Sequence, residues 1–257
     1  MSVLVSVIMP TYNCGKYIAD AVNSVINQTI NDWEMLIVDD CSTDNTKEVL
    51  APYIKKNPQI KYFCLNKNSG PARARSEAIM RATGKYCAFL DSDDLWLPDK
   101  IEYQILFMEK NHLDFSCSAY KTINADTMEL YKAIVPPKKI TYSKCILLAN
   151  PIGNLTAVYN QEKLGKYVVP NIKRRNDFAL WLQILKNTDY CYGLEKVLAL
   201  YRVGRPESVS HNKLQLAQYH WQLYRTIEKH SVIRSAAEVF CWGFVKSINL
   251  GRNVRRI

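Results

Sequence analysis

Two carboxylates follow one of the apolar runs of this 257-residue sequence at a spacing that suits a metal ion. Asp91, Ser92 and Asp93 come directly after the run at residues 86–90. Alternate residues of an extended chain point the same way, so the two carboxylates can converge on one hard cation, Mg²⁺ or Mn²⁺. Such a cation can bridge protein carboxylates to a pyrophosphate and take up charge on a leaving group. In a plainer interpretation, Asp93 or Asp94 caps a following helix.

Two further apolar runs end in polar or aromatic residues. Asp39 follows the run at residues 34–38, and Pro10, Thr11 and Tyr12 follow the first run of the chain. Asp39 could accept a hydrogen bond from a base or a ribose, or it could be a loop cap or a salt-bridge partner. Tyr12 could stack on a nucleobase, because aromatic faces accept any base, or it could pack within its loop.

A guanidinium lies at the start of an Ala-rich helix predicted at residues 71–82. Arg75 in its first turns would add to the helix dipole in binding phosphate. Arg73 is two residues away and therefore points to a different side of the helix, which suits a solvated position.

Asp177 directly precedes a helix predicted at residues 178–185, where the helix dipole favours a negative charge. A carboxylate in this position can accept the proton of an attacking hydroxyl and so act as a general base. An ordinary helix N-terminal charge would explain the residue equally well.

These residues need a scaffold that brings the ends of the apolar runs together. Strands are predicted at residues 3–9, 34–38, 60–65, 86–90, 115–120 and 155–159, and helices at 16–27, around 49–54, and at 71–82, 100–110, 141–148 and 178–185. Alternation at this spacing predicts an α/β fold with a mainly parallel, doubly wound sheet flanked by helices. Ligands bind such sheets at the carboxyl ends of the strands.

The periodicity changes in two later segments. Residues 121–139 are polar and are predicted to form an irregular insertion or a meander of short strands. Past about residue 205 the sheet pattern ends, and two helices are predicted within residues 213–250. We therefore expect a catalytic domain at 1–205 and a helical region at 206–257. This basic tail could lie on an anionic membrane or pack against the domain, and it carries the aromatic residues Tyr219, Trp221, Tyr224, Trp242 and Phe244.

Composition restricts the class of protein. The eight cysteines are scattered without a Cys-x-x-Cys pair, and the N-terminal apolar run is too short for a signal core or a membrane span. Both observations predict a protein of the reducing cytoplasm. The net charge of +10 indicates a polyanionic partner, either nucleotide phosphates, anionic lipid or nucleic acid. No base-reading or stacking motif supports nucleic acid, so we predict none.

Taken together, the motifs match a known family. The sequence closely resembles family 2 inverting glycosyltransferases with the GT-A fold, in the family's order and over roughly residues 3–205. The matching segments are VSVIMPTYN, QTINDWEMLIVDDCSTDNT, NKNSGPARARSEAI, GKYCAFLDSDDLW and NDFALWLQIL.

The resemblance implies a nucleotide site around the first two strands. It places Pro10, Thr11 and Tyr12 around the nucleotide and makes Asp39 the partner of the uracil ring. The family's Ala-Arg-Asn element aligns with residues 74–76, so the resemblance makes Arg75 a nucleotide contact, while Ser76 departs from the usual Asn.

The resemblance also implies the metal ligands and the base. Asp93 resembles the direct metal ligand, and Asp91 resembles a ribose or water-mediated contact. The family's Glu-Asp pair aligns with Asn176 and Asp177. Asp177 is thereby implied as the general base, and Asn176 leaves that role intact because one carboxylate suffices.

The implied activity is metal-dependent, inverting transfer of a sugar from a UDP-sugar to an acceptor hydroxyl. The implied acceptor is a lipid-linked oligosaccharide of an O-antigen, capsule or wall polymer, which would place the enzyme at the inner face of the plasma membrane. Residues 202–211 resemble a segment that closes over the donor, or they form a charged linker. One alternative is a sugar nucleotidyltransferase, which would need a Gly-rich, basic loop after the first strand; the segment TYNCGKY is not such a loop. Another alternative is a non-catalytic nucleotide-sugar binding protein, and the presence of Asp93 and Asp177 argues against it.

Overall fold

The computed structural model describes residues 3–148, 150–204, 213–247 and 253–256. The strands are β1 Val5–Thr11, β2 Trp33–Asp39, β3 Ile60–Cys64, β4 Tyr86–Phe89, β5 Leu95–Trp96, β6 Phe115–Asn124, β7 Leu130–Val135, β8 Lys139–Ile140, β9 Val158–Asn160, β10 Cys191–Val203 and β11 Asn253–Arg256. The helices are α1 Ile18–Ile26, α2 Thr46–Lys56, α3 Pro71–Arg81, α4 Lys100–Lys110, α5 Tyr142–Leu147, α6 Gln161–Leu164, α7 Asn176–Leu185, α8 Lys213–Gln222 and α9 Val232–Ser247.

One mixed sheet organises the chain. Its first half has the order β3-β2-β1-β4, and all three of these pairings are parallel. Beyond β4 the sheet continues through β9, β6, β7 and β11 by antiparallel pairing, while β10 runs parallel to β6. The predicted α/β class is confirmed, and the parallel arrangement holds for the strands that lead to the predicted site.

Helices cover both faces of the sheet. One apolar cluster joins the sheet to α3, α5 and α7, and the other joins it to α1, α2 and α4. Every residue of β1 and β2 is buried, as expected for central parallel strands covered on both sides. The carboxyl edge of these strands is therefore held by packing on both faces.

The amino-terminal ends of the parallel strands are held together by a buried carboxylate. Glu34 accepts hydrogen bonds from Lys61, Ser6 and Thr83. Burial raises the pKa of the Glu34 carboxyl, but these hydrogen bonds outweigh burial and hold the pKa below its usual range. Gly84 lies so close that a Cβ there would be 2.6 Å from the backbone nitrogen of Ser6. This network joins the starts of β1, β2 and β4.

Several sequence-based predictions need correction. Residues 121–139 do form a meander, but β6 extends into it as far as Asn124. The strand predicted at 155–159 is a 3-10 turn, Asn154–Thr156, followed by the short β9. Two strands of the sheet, β10 and β11, were not predicted, and β11 shows that the sheet pattern does not end at about residue 205.

The C-terminal helices pack on the rest of the protein. Two of the tail aromatics, Tyr224 and Trp242, are buried there, which removes them from any membrane surface. Tyr224 lies in the π-helical turn Leu223–Ile227 and joins the cluster that contains α7. Among the helices of the described ranges, none combines the length and the apolar character of a membrane span. Of the loop at 202–211, residues 205–211 lie outside the described part of the chain.

Candidate active site

The parallel strands bring the predicted site residues to one edge. Thr11 pairs with Asp39 at the ends of β1 and β2, and Ile8 pairs with Phe89 in β4. The segments that follow these three strands therefore leave the sheet side by side. This is the edge at which open α/β sheets bind ligands.

Asp39 is buried, and both of its carboxylate oxygens are engaged. Oδ1 accepts hydrogen bonds from the Ser42 backbone N–H at 2.8 Å and its hydroxyl at 2.6 Å, and Oδ2 accepts one from the Tyr62 hydroxyl at 2.7 Å. Burial and the hydrogen bond to Asp39 raise the pKa of Tyr62. Asp39 thus organises the loop after β2, and Tyr62 is a supporting residue that the sequence did not identify.

The neighbouring Asp40 ties this loop to the start of α3. Its two carboxylate oxygens accept hydrogen bonds from the backbone N–H groups of Ser69 and Gly70, each at 2.7 Å. Gly70 has φ +89°, a conformation that favours glycine, and Pro71 begins the helix. Asp40 therefore orients the helix that carries Arg75.

The first strand contributes one exposed side chain. Pro10 and Thr11 are buried within β1, and the Thr11 carbonyl accepts a hydrogen bond from the Asp40 backbone at 2.9 Å. The ring of Tyr12 is 49% exposed at the carboxyl edge. Of these three residues, only Tyr12 has an exposed side chain.

The loop after β4 gathers carboxylates. Asp91 is one-third exposed, whereas Ser92, Asp93 and Asp94 are buried. Asp94 accepts a hydrogen bond from the backbone N–H of Arg202 at 2.9 Å, which ties β10 to this loop. Residues 95–96 form β5, and the next helix begins at Lys100, so the interpretation of Asp93 or Asp94 as a helix cap is wrong.

The electrostatics of this loop suit a divalent cation. Burial raises the pKa of the Tyr201 hydroxyl, and the negative charges of Asp94, Asp93 and Asp91 raise it further. Within the described residues no group of three or more His, Cys, Asp or Glu is arranged to hold a metal. The oxygen donors present fit Mg²⁺ or Mn²⁺ bound by one or two carboxylates, with water and ligand phosphates completing the coordination.

Arg75 connects this loop to α7. Its guanidinium is buried, and Nη2 lies 3.0 Å from Oδ1 of Asp91. Nη1 donates a hydrogen bond to the side-chain oxygen of Asn176, the first residue of α7. Arg73 is exposed and pairs with Glu77, as expected for a solvated face. The buried guanidinium holds the carboxylate loop and the start of α7 together.

Asp177 lies in the first turn of α7, directly after the residue that Arg75 binds. Its Oδ2 accepts a hydrogen bond of 3.1 Å from Nδ2 of Asn150. Asn150 is buried and has φ +61°, a left-handed conformation that Asn adopts more readily than most residues. The sequence did not identify Asn150, because a single Asn in a loop carries no periodic or motif pattern.

The site joins a loop of carboxylates, a buried guanidinium and a partly exposed carboxylate at the carboxyl edge of parallel strands. In an α/β protein, that combination suits a phosphorylated ligand bound beside a group that can accept a proton. The chain belongs to glycosyl transferase family 2, whose family profile matches residues 6–166. The resemblance found in the sequence motifs is confirmed, and the protein is a glycosyltransferase.

Two curated relatives align over most of their length. The putative teichuronic acid biosynthesis glycosyltransferase TuaG of Bacillus subtilis (strain 168) is 42% identical over 243 residues, covering 95% of this chain and 94% of TuaG. The UDP-Glc:alpha-D-GlcNAc-diphosphoundecaprenol beta-1,3-glucosyltransferase WfgD of Escherichia coli is 36% identical over 222 residues, covering 86% of this chain and 85% of WfgD.

A solved structure shares the fold. S. aureus TarS 1-349 in complex with UDP-GlcNAc superposes with a TM-score of 0.69 at 22% identity, covering 93% of this chain and 70% of TarS 1-349. The expected GT-A fold is thereby confirmed.

Proposed function

We propose that this protein transfers a sugar from a UDP-sugar to an acceptor hydroxyl, with a divalent metal and with inversion at the anomeric carbon. The observation that carries the proposal is the Arg75 bridge. One buried guanidinium binds both Asp91, in the carboxylate loop, and Asn176, next to Asp177. Donor-binding groups and a candidate base therefore belong to one site.

The donor site is proposed on the edge formed by β1, β2 and β4. Tyr12 would stack on the uracil, Asp39 would accept a hydrogen bond from it, and Arg75 with the Asp91–Ser92–Asp93 loop would surround the ribose and diphosphate. The solved complex of TarS with UDP-GlcNAc and the UDP-Glc donor in the name of WfgD support a UDP-sugar.

Mn²⁺ or Mg²⁺ would be held by Asp93, with Asp91 contributing directly or through water. When bound, the cation would neutralise charge on the diphosphate leaving group. Asp91 pairs with Arg75, which helps to hold the loop in place.

Asp177 would accept the proton of the acceptor hydroxyl as that oxygen attacks the anomeric carbon. Asn150 donates a hydrogen bond to Oδ2 of Asp177 and would orient the carboxylate towards the acceptor. A single displacement from the side opposite the leaving group inverts the anomeric centre. No covalent nucleophile is needed in this scheme.

The acceptor is proposed to be a lipid-linked oligosaccharide of a bacterial cell-envelope polymer. The names of WfgD, with its diphosphoundecaprenol acceptor, and of TuaG, in teichuronic acid biosynthesis, support this class. Such an acceptor would place the enzyme in the cytoplasm, peripherally on the inner face of the membrane. Residues 1–205 would then carry catalysis and residues 206–257 the helical appendage.

A donor panel tests the proposal. UDP-, GDP- and dTDP-sugars are incubated with Mn²⁺, Mg²⁺ or a chelator, and release of the nucleoside diphosphate is measured. We expect release from a UDP-sugar only with metal, and about a hundredfold loss in Asp93→Ala. Asp126→Ala is the matched control, because that aspartate is exposed and pairs with Lys16. Failure of every nucleotide to bind, or full activity in the chelator, would contradict the proposal.

A further inference from the structure

Helix α9 has one buried face and one exposed apolar face. Its inward face is buried by Ser235, Glu238, Trp242 and Val245. Its outward face carries what we term the α9 stripe, formed by the exposed residues Ile233, Ala236, Ala237, Phe240 and Phe244. Ile233 is 84% exposed and Phe240 is 76% exposed, which are unusual values for large apolar side chains.

The stripe is continuous along the helix. Its members recur at intervals of three and four residues, so they line one side of α9 over about three turns, or roughly 16 Å. Leu147 at the end of α5 is 49% exposed and extends the surface. Between the two helices lies a cavity of about 260 Å³, and its lining is Leu147, Leu148, Phe240, Cys241, Phe244 and Val245. The apolar surface therefore runs along α9 and extends across to the end of α5.

The segment that carries the stripe has a net positive charge. Residues 213–257 contain eight lysines and arginines against two glutamates, which gives +6 of the net charge of +10. Both glutamates turn inward. Glu238 binds His230 and Arg234, and the side chain of Glu228 is buried against Lys186 and Tyr142. An apolar stripe within a cationic segment complements an anionic lipid surface.

We propose that the α9 stripe and Leu147 dock on an anionic lipid bilayer. A second copy of the chain is the less favourable occupant, because it would bring two segments of charge +6 together.

The position also fits catalysis, and in this respect the inference rests on the proposed function. Leu147 is three residues before Asn150, so the Cα atoms of Leu147 and Asn150 are within about 11 Å of each other. Asn150 in turn binds Asp177. A bilayer at this face would present a lipid-linked hydroxyl near the candidate base.

Vesicle sedimentation with the full chain tests the inference. One set of vesicles contains equal phosphatidylglycerol and phosphatidylcholine, and the other contains phosphatidylcholine alone. We expect the protein to bind the anionic vesicles, to bind more weakly at high salt, and to lose at least about tenfold in affinity in the double variant Ile233→Ser, Phe240→Ser. The matched control is Leu106→Ser, Val168→Ser, whose residues are 59% and 63% exposed elsewhere.

Three results would overturn the inference. The wild type could stay in the supernatant with anionic vesicles, or the stripe variant could bind them as tightly as the wild type. Sedimentation equilibrium could instead show a dimer that the stripe variant abolishes, which would assign the face to a second copy.

Release of UDP from the donor without lipid is measured on the same preparations. If the wild type released no UDP, the proposed function would be contradicted, but the lipid-binding result would still stand.

Discussion

Arg75 shows how the structure refines a residue identified from a motif. The sequence resemblance made it a nucleotide contact, and the structure gives its two terminal nitrogens to Asp91 and Asn176. Asn176 is neutral where the family commonly has Glu, so Asp91 provides the negative charge that faces the guanidinium among these three residues. Pairing of the Arg75 charge in this bridge therefore depends more on Asp91 than it would if both partners were acidic.

At the same scale, Asn150 is predicted to position the candidate base. In Asn150→Gly, the left-handed backbone is retained and the hydrogen bond to Asp177 is lost. We expect kcat to fall about tenfold with little change in KM for the donor, because Asn150 contacts the candidate base and is not among the residues proposed to bind the donor. Steady-state kinetics of UDP release measures both.

The control for this variant is His112→Gly, an exposed position with φ +52° at the end of α4. Equal kinetics in Asn150→Gly and the wild type would remove Asn150 from the catalytic account. A rise in KM alone would do the same, since it would indicate a role in donor binding.

The site was predictable from sequence only where side chains belong to motifs. Asp39, Asp91, Asp93 and Asp177 follow or begin recognisable elements, so their common edge could be inferred. Tyr62 and Asn150 were not identified, since each reaches the site through tertiary contacts and no local spacing marks it.

At the scale of elements, the prediction succeeded where burial follows a simple period. The parallel strands β1 to β4 are short apolar runs separated by amphipathic helices. β10 was missed because register shifts between Leu194 and Val197, and between Val197 and Ala199, break its alternation, and Glu195 and Lys196 are exposed within it. β11 was missed because a short charged strand at a sheet edge depends on pairing with the distant β7.

Helix α4 begins with a buried lysine whose charge state affects stability. Burial lowers the pKa of Lys100 from 10.5 to about 7. Its Nζ lies 4.2 Å from the centre of the Trp96 ring and 3.1 Å from Oε1 of Gln104. Between pH 10.5 and 7 the unfolded chain binds a proton that the folded chain does not, so this group lowers stability as pH falls through that window.

Lys100→Met is therefore predicted to be more stable than the wild type at neutral pH, by about 1 kcal/mol or more, since it removes the cost of burying an ammonium group. The gain should shrink as pH rises towards 10. Urea unfolding at several pH values measures it, and Lys110→Met, at the exposed end of the same helix, is the control. A loss of stability that is independent of pH would show that the contacts of Lys100 outweigh its burial.

At the scale of the whole molecule, the C-terminal segment completes both the sheet and a core. β11 pairs with β7, and Leu223 and Tyr224 are fully buried in the cluster that contains α7. The ring of Phe178 in α7 lies 5.7 Å from that of His220 and 6.5 Å from that of Tyr224. The helix that carries Asp177 is thus packed against the tail.

Truncation after residue 205 is predicted to destabilise the catalytic region. Removing several large buried side chains costs about 2–5 kcal/mol each, which is comparable to the whole stability of a domain. We expect the fragment to be insoluble or to lose a cooperative thermal transition, as measured by circular dichroism. A fragment that melts at the temperature of the full chain and binds UDP would show that residues 1–205 fold independently.

The central claim is that Asp177 acts on the acceptor while other residues bind the donor. Its most direct test compares Asp177→Asn with the wild type in two measurements on one preparation, UDP affinity by calorimetry and sugar transfer by UDP release. We expect an unchanged Kd for UDP and a transfer rate lower by about 10²–10⁴-fold in the variant. Transfer at the wild-type rate would contradict it.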